Sequence, residues 1–121
     1  MKLKDYPNAL NSYNRAIELC RSDYYLVSKG KCLKHLNKID EAIKCCEEVL
    51  ISYQADKRSQ IYANAYLLKS ECLYEKKDFK SALNATDKAS EIMSNFILFG
   101  DNKIHILRGF ILNYIQYILN V

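Results

Sequence analysis

The sequence predicts an all-α fold, about six antiparallel helices stacked as a solenoid, forming one domain over 1–121. Three observations predict it. Only three glycines and one proline punctuate 121 residues, too few for the turns of a β sandwich. Apolar residues recur at helical spacing: Ala42, Ile43, Cys46, Val49 and Leu50 form one stripe, and Phe79, Ala82, Leu83, Ala85, Thr86, Ala89 and Met93 another. Two different patterns also alternate along the chain at a shared period, and two patterns per period mean two helices per unit.

The first pattern covers 25–33, 65–73 and 105–112, with Gly30, Ser70 and Gly109 aligned 40 and 39 residues apart and a basic residue (Lys29, Lys69, Arg108) before each. The second opens at Asp5, Lys38 and Asp78 and aligns Ala9, Ala42 and Ala82, 33 and 40 residues apart. Taken in order, the helices are expected at 6–20, 23–36, 39–53, 56–76, 79–97 and 102–120. Pro7 suits a first helical turn, where its missing N–H costs nothing. Ser22 or Asp23, Asp78 and Asp101 are candidate N-caps. Gly100 suits a helix stop. The small residues Gly30, Ala42, Ser70, Ala82 and Gly109 permit close approach of neighbouring helices.

These residues resemble the tetratricopeptide repeat family. Its first helix carries a large, a small and a large residue, and its second opens with an aromatic and an alanine. The matching slots are Leu26, Gly30, Leu33, Ile39, Ala42 and Val49 in one unit, and Tyr66, Ser70, Leu73, Phe79, Ala82 and Ala89 in the next. The resemblance covers nearly the whole chain and implies a right-handed α–α superhelix. The usual unit is about 34 residues, so a step of 40 implies a long-helix variant, with the excess expected around 54–60. Lys29, Lys69 and Arg108 occupy a slot that is more often leucine; some co-chaperone repeats carry a basic residue there, and such stems can cover apolar surface while the charge reaches water.

The phase of the pattern yields a second helix at 6–20 without a first, complete repeats at 23–53 and 56–97, and a first helix at 102–120 without a second. In that last helix Ile104, Leu107, Ile111, Tyr114, Ile115 and Ile118 form one apolar stripe, and Ile106, Phe110 and Tyr117 form another. A helix apolar over so much of its circumference expects neighbours on two sides. A piece of a longer solenoid, or self-association through the chain ends, is therefore expected.

Five cysteines (Cys20, Cys32, Cys45, Cys46, Cys72) without a Cys-x-x-Cys pair read as core thiols in a reducing compartment, cytoplasm or nucleus. A reactive Cys45–Cys46 pair is the competing reading. The formal charge of +4 is mild, and acidic residues dilute the lysines, so no nucleic-acid partner is expected. Unequal steps argue against base-reading helical repeats. No stretch has the ~18 uninterrupted apolar residues of a membrane span, so no membrane partner is expected. His35 and His105 stand singly, without the companions of a catalytic set, so neither an enzyme nor a cofactor or metal site is expected.

The resemblance implies a protein-interaction scaffold whose first helices line a groove for a peptide or helix of another protein. Its groove residues would be Tyr24, Val27, Lys31, Lys34 and His35, then Asn64, Leu67, Glu71, Tyr74 and Glu75, with Lys103, Ile106, Phe110, Asn113 and Tyr114 extending them. Tyr24 or Tyr74 could instead pack between helices. Chaperone-binding relatives clamp a terminal carboxylate with Lys, Asn and Arg. The corresponding slots here include Leu68, Leu107 and Glu71, which cannot do so. The second functional class is a structural segment of a larger complex, associating through the last helix by Ile106, Phe110, Tyr114 and Tyr117.

Overall fold

The computed structural model describes residues 5–52, 60–93 and 102–119. They form six helices: α1 (Tyr6–Leu19), α2 (Asp23–His35), α3 (Ile39–Leu50), α4 (Gln60–Glu75), α5 (Phe79–Met93) and α6 (Asn102–Leu119), with no strand among the described residues. The long excess expected around 54–60, and the cap and stop at Asp101 and Gly100, lie outside the described residues apart from Gln60, the first residue of α4.

Local chemistry sets the helix ends. The Asp5 carboxylate accepts the backbone N–H of Asn8 at 3.2 Å, with Pro7 in the first turn of α1. Asp78 does the same for Ser81 at 3.4 Å ahead of α5. Ser22 is the extended N-cap of α2 without a side-chain bond, and Asp23 sits in the first turn, where its negative charge faces the positive end of the helix dipole. Helices α2 and α4 end alike. Asn37 and Lys77 adopt left-handed φ angles of 63° and 65°. Lys38 N–H reaches the Leu33 carbonyl at 2.8 Å and Asp78 N–H reaches that of Leu73 at 2.9 Å. Both are Schellman closures, and they turn the chain into α3 and α5.

Each helix packs on the next, and next-but-one packing joins α2 to α4 and α4 to α6. The even-numbered helices therefore form one continuous layer, with α3 and α5 behind it. This is an all-α helical repeat. The main core joins Leu26, Val27 and Leu33 of α2, Ala42, Cys46 and Val49 of α3, and Ala65, Leu68 and Cys72 of α4. At the crossing of α2 and α4, a Cβ placed on Gly30 would lie 2.9 Å from Leu68 Cδ2, 3.4 Å from Cys45 Cβ and 3.5 Å from the Ala42 carbonyl. Ser70 holds the equivalent slot in α4. Its hydroxyl donates to the Ala82 carbonyl at 2.8 Å and also meets the Thr86 hydroxyl, all of it buried. The expectation of close approach fails at Gly109, where a Cβ would find nothing within 4 Å among the described residues.

Four cysteines are buried as core thiols, whereas Cys20 is exposed just past α1. Burial raises the thiol pKa of Cys32, Cys45 and Cys46, and pushes Cys72 up to about 11. These groups are poor nucleophiles near neutral pH, which removes the basis for a reactive Cys45–Cys46 pair.

Candidate functional site

The groove residues expected from the sequence separate into two places. At one end, α1 and α2 enclose an open groove of about 460 Å³, lined by Tyr24, Lys31 and His35. Tyr24 is 58% exposed. Tyr6 of α1 stacks on His35, centroids 4.4 Å apart and planes 11° from parallel. Tyr13 also lines this groove and contacts Tyr25 at 6.4 Å. Neither Tyr6 nor Tyr13 was singled out by the sequence, although both lie on the α1 face that carries Ala9.

The second place is the middle of the even-helix layer. Lys34 Nζ of α2 donates to Glu71 Oε2 of α4 at 2.8 Å, both side chains about four-fifths buried. The pair ties adjacent inner helices and balances the Glu71 charge. Asn64 is half-buried on the same helix as Glu71, and Glu75 is exposed beyond it. Tyr74 is half-buried against Phe79 at 5.5 Å and Tyr114 of α6 at 6.3 Å. Phe79 and Tyr114 lie 4.5 Å apart, and Tyr117 continues the series from Tyr114 at 6.2 Å. Val27 is buried in the main core. Leu67 is only 7% exposed, packed with Ala89, Tyr66 and Leu107. Its side chain serves the α4–α5–α6 junction and offers little surface to a ligand.

On α6, Phe110 is 58% and Tyr117 67% exposed, and Tyr114 is half-buried. The side chains of Lys103 and Ile106 lie outside the described residues. Among the described residues, no group of three or more His, Cys, Asp and Glu side chains converges as metal ligands would. No helix of the described residues is long and apolar enough to cross a membrane.

The basic residues before each small slot have a geometric role that the sequence reading missed. Arg108 Nε of α6 donates to Asp87 Oδ1 of α5 at 2.8 Å, and Lys69 Nζ of α4 approaches Glu47 of α3 at 3.6 Å. Each pair links an inner helix to the outer helix before it. Asp87 follows Ala82 by five residues, as Glu47 follows Ala42. Lys29 instead lines a cavity of about 330 Å³ together with Asn14, the residue five after Ala9. The signal lay in the acidic residue five positions after Ala42 and after Ala82.

Consecutive helices pair, the even-numbered ones form the inner layer, and the small residues Gly30 and Ala42 meet where α2 packs on α3. The family model described as tetratricopeptide repeat matches residues 24–50. Residues 24–50 are a tetratricopeptide repeat. This repeat comprises α2 and α3, and α4 with α5 repeats its geometry. Tetratricopeptide repeats generally mediate protein–protein interactions and are non-catalytic. No curated protein matches the chain.

Proposed function

We propose that this tetratricopeptide-repeat chain is a protein-interaction scaffold whose inner layer, α2, α4 and α6, receives a peptide or helix of another protein. The carrying observation is the strip formed by Lys34, Glu71, Asn64, Tyr74 and Tyr114, which crosses all three inner helices. It combines aromatic surface with partly buried charge, the composition of interface anchors. Tyr24, Lys31 and His35 flank this strip at the α1–α2 end. Leu67 supports it from beneath. The working place of such a scaffold is the cytoplasm or nucleus, on the reading of its thiols. The leucines and the glutamate in the clamp slots argue against a co-chaperone role by carboxylate capture.

Peptides selected from a random library against the full chain test this reading. Amide NMR shifts on adding such a peptide are expected at Asn64, Glu71, Tyr74 and Tyr114, and Glu71→Lys should weaken binding at least tenfold. Shifts confined to α3 and α5 would overturn it.

A second reading has its own observation. The exposure of Phe110 and Tyr117 on α6 favours a segment that assembles into a larger complex through this helix.

A further inference from the structure

The groove between α1 and α2 has a template inside the chain. Helix α4 docks on α2 and α3 through Leu68, Glu71 and Cys72. Leu68 reaches the bare backbone of Gly30, Glu71 pairs with Lys34, and Cys72 is fully buried. Forty residues earlier, the equivalent positions of α2 are Ser28, Lys31 and Cys32. All three line the α1–α2 groove, together with Ala9. Ala9 holds in α1 the slot that Ala42 and Ala82 hold in α3 and α5. The groove therefore presents the surface on which an inner-layer helix sits elsewhere in the fold, with a repeat alanine waiting for a small residue. In the first repeat that small residue is Gly30, at the Ala42 backbone.

Helix α6 carries the complementary half. Gly109 holds the slot of Gly30 and Ser70, with nothing within 4 Å of its Cβ position among the described residues. Leu112 corresponds to Leu33, which is 4% exposed in α2, yet Leu112 is 38% exposed. Gly109 and Leu112, the counterparts of two residues by which α2 packs on α3, are thus uncovered among the described residues, while His105 stands at the slot of Leu26.

We infer that α6 of one copy seats in the α1–α2 groove of the next, Gly109 against Ala9, so that copies of this chain stack head to tail. The contact is heterologous: two different surfaces meet, and each copy retains one of each. It continues the inner layer from α6 of one copy to α2 of the next, with the small-residue register of the repeats preserved across the junction. The inference rests on the assembly reading of α6 and adds the occupant and its seat.

Light scattering of the full chain over a concentration series tests it. The mass is expected to rise above the 14.1 kDa of one chain as concentration increases. Ala9→Arg blocks the groove and Gly109→Arg blocks α6, and each alone should hold the mass at that of one chain. Their equimolar mixture should return twice that mass, because one intact α6 then meets one intact groove. Ser28→Arg is a second groove variant with the same expectation. Circular dichroism verifies that each variant keeps its helicity; Ala9 is only half-buried, and no described residue comes within 4 Å of the Gly109 Cβ position. A wild-type chain that stays at one-chain mass throughout, or a mixture that does not pair, overturns the inference. If Gly109→Arg abolishes association while Ala9→Arg and Ser28→Arg leave it intact, the groove is not the seat, although α6 is still an assembly surface. If none of the variants reduces association, the assembly reading of α6 falls as well.

Discussion

The same substitution at the same repeat slot should act in opposite directions in α2 and α6. Replacing glycine by alanine inside a helix gains about 1 kcal/mol from backbone propensity. At Gly109 the added methyl meets nothing within 4 Å among the described residues, so Gly109→Ala should keep that gain, about 4 °C in Tm for a domain of this size. At Gly30 the methyl would lie 2.9 Å from Leu68 Cδ2, closer than packed carbons stand, and 3.4 Å from Cys45 Cβ. Leu68 is 2% exposed, so it can yield only by displacing core neighbours, and overpacking of this kind costs about 1–3 kcal/mol. Gly30→Ala should therefore be neutral to about 2 kcal/mol destabilising, and the two variants should differ by about 1–3 kcal/mol. Thermal and urea unfolding followed by circular dichroism in dilute solution reads both. Equal increases in midpoint would refute the claim that α2, α3 and α4 converge on Gly30.

Other consequences follow from the thiols, the turns and the ion-pair slot. In the native chain, a chromogenic thiol reagent should label Cys20 rapidly, while the four buried cysteines should react only at the rate of unfolding; fast labelling of Cys45 or Cys46 would contradict their burial. Because burial raises the folded-state pKa of Cys45, Cys46 and Cys72, the unfolded chain loses those protons first. The contribution of these thiols to stability is thus full below pH 9 and falls as pH rises toward about 11, which urea midpoints from pH 7 to 10.5 would reveal. Lys77→Gly removes a side chain from a left-handed backbone position and should stabilise by about 1 kcal/mol, measured as a rise in urea midpoint. Asn14→Glu should give Lys29 the acidic partner that Lys69 and Arg108 have, a gain of about 0.2–1 kcal/mol that shrinks in high salt.

Much of this fold was legible because its determinants are local. Asp78 caps where a short acceptor precedes a helical stripe, and the alternation of two patterns separates inner from outer helices; the cap at Asp5 was not among those expected. The buried thiols of Cys46, in an apolar stripe, and of Cys32 and Cys72, in the repeated first-helix pattern, could be read on that ground; Cys45 lies outside the stripe and is buried all the same. Cys20 does not follow them: it sits one residue past α1, where the helix ends and the chain turns outward. The candidate site was less legible, because its contacts join residues far apart in sequence. Lys34 finds Glu71 across 37 residues, and helical spacing alone cannot tell an inner-face leucine such as Leu67 from one sealed beneath a later helix. Gly109 has the sequence of a crossing point, but a crossing also needs a second helix, and among the described residues none comes within 4 Å of its slot.

The two repeats solve the same packing problem with different chemistry, and the difference bears on what can meet α6. In the first, Gly30 and Cys46 leave the crossing apolar. In the second, Ser70 and Thr86 hold the same two slots, and their hydroxyls satisfy each other and the Ala82 carbonyl. Either pair works because it is matched; a serine placed opposite a thiol or alanine would bury a hydroxyl with one fewer partner. Helix α6 presents glycine at this slot, so a partner helix needs no hydroxyl to complement it, only a small residue that lets the backbones approach. Ala9 of α1 meets that requirement, and Tyr13, one turn further along the groove, sits where the first repeat has Cys46. Gly109, without a side chain, leaves more room opposite that ring than a serine such as Ser70 would, so residue volume as well as register favours seating α6 in the α1–α2 groove.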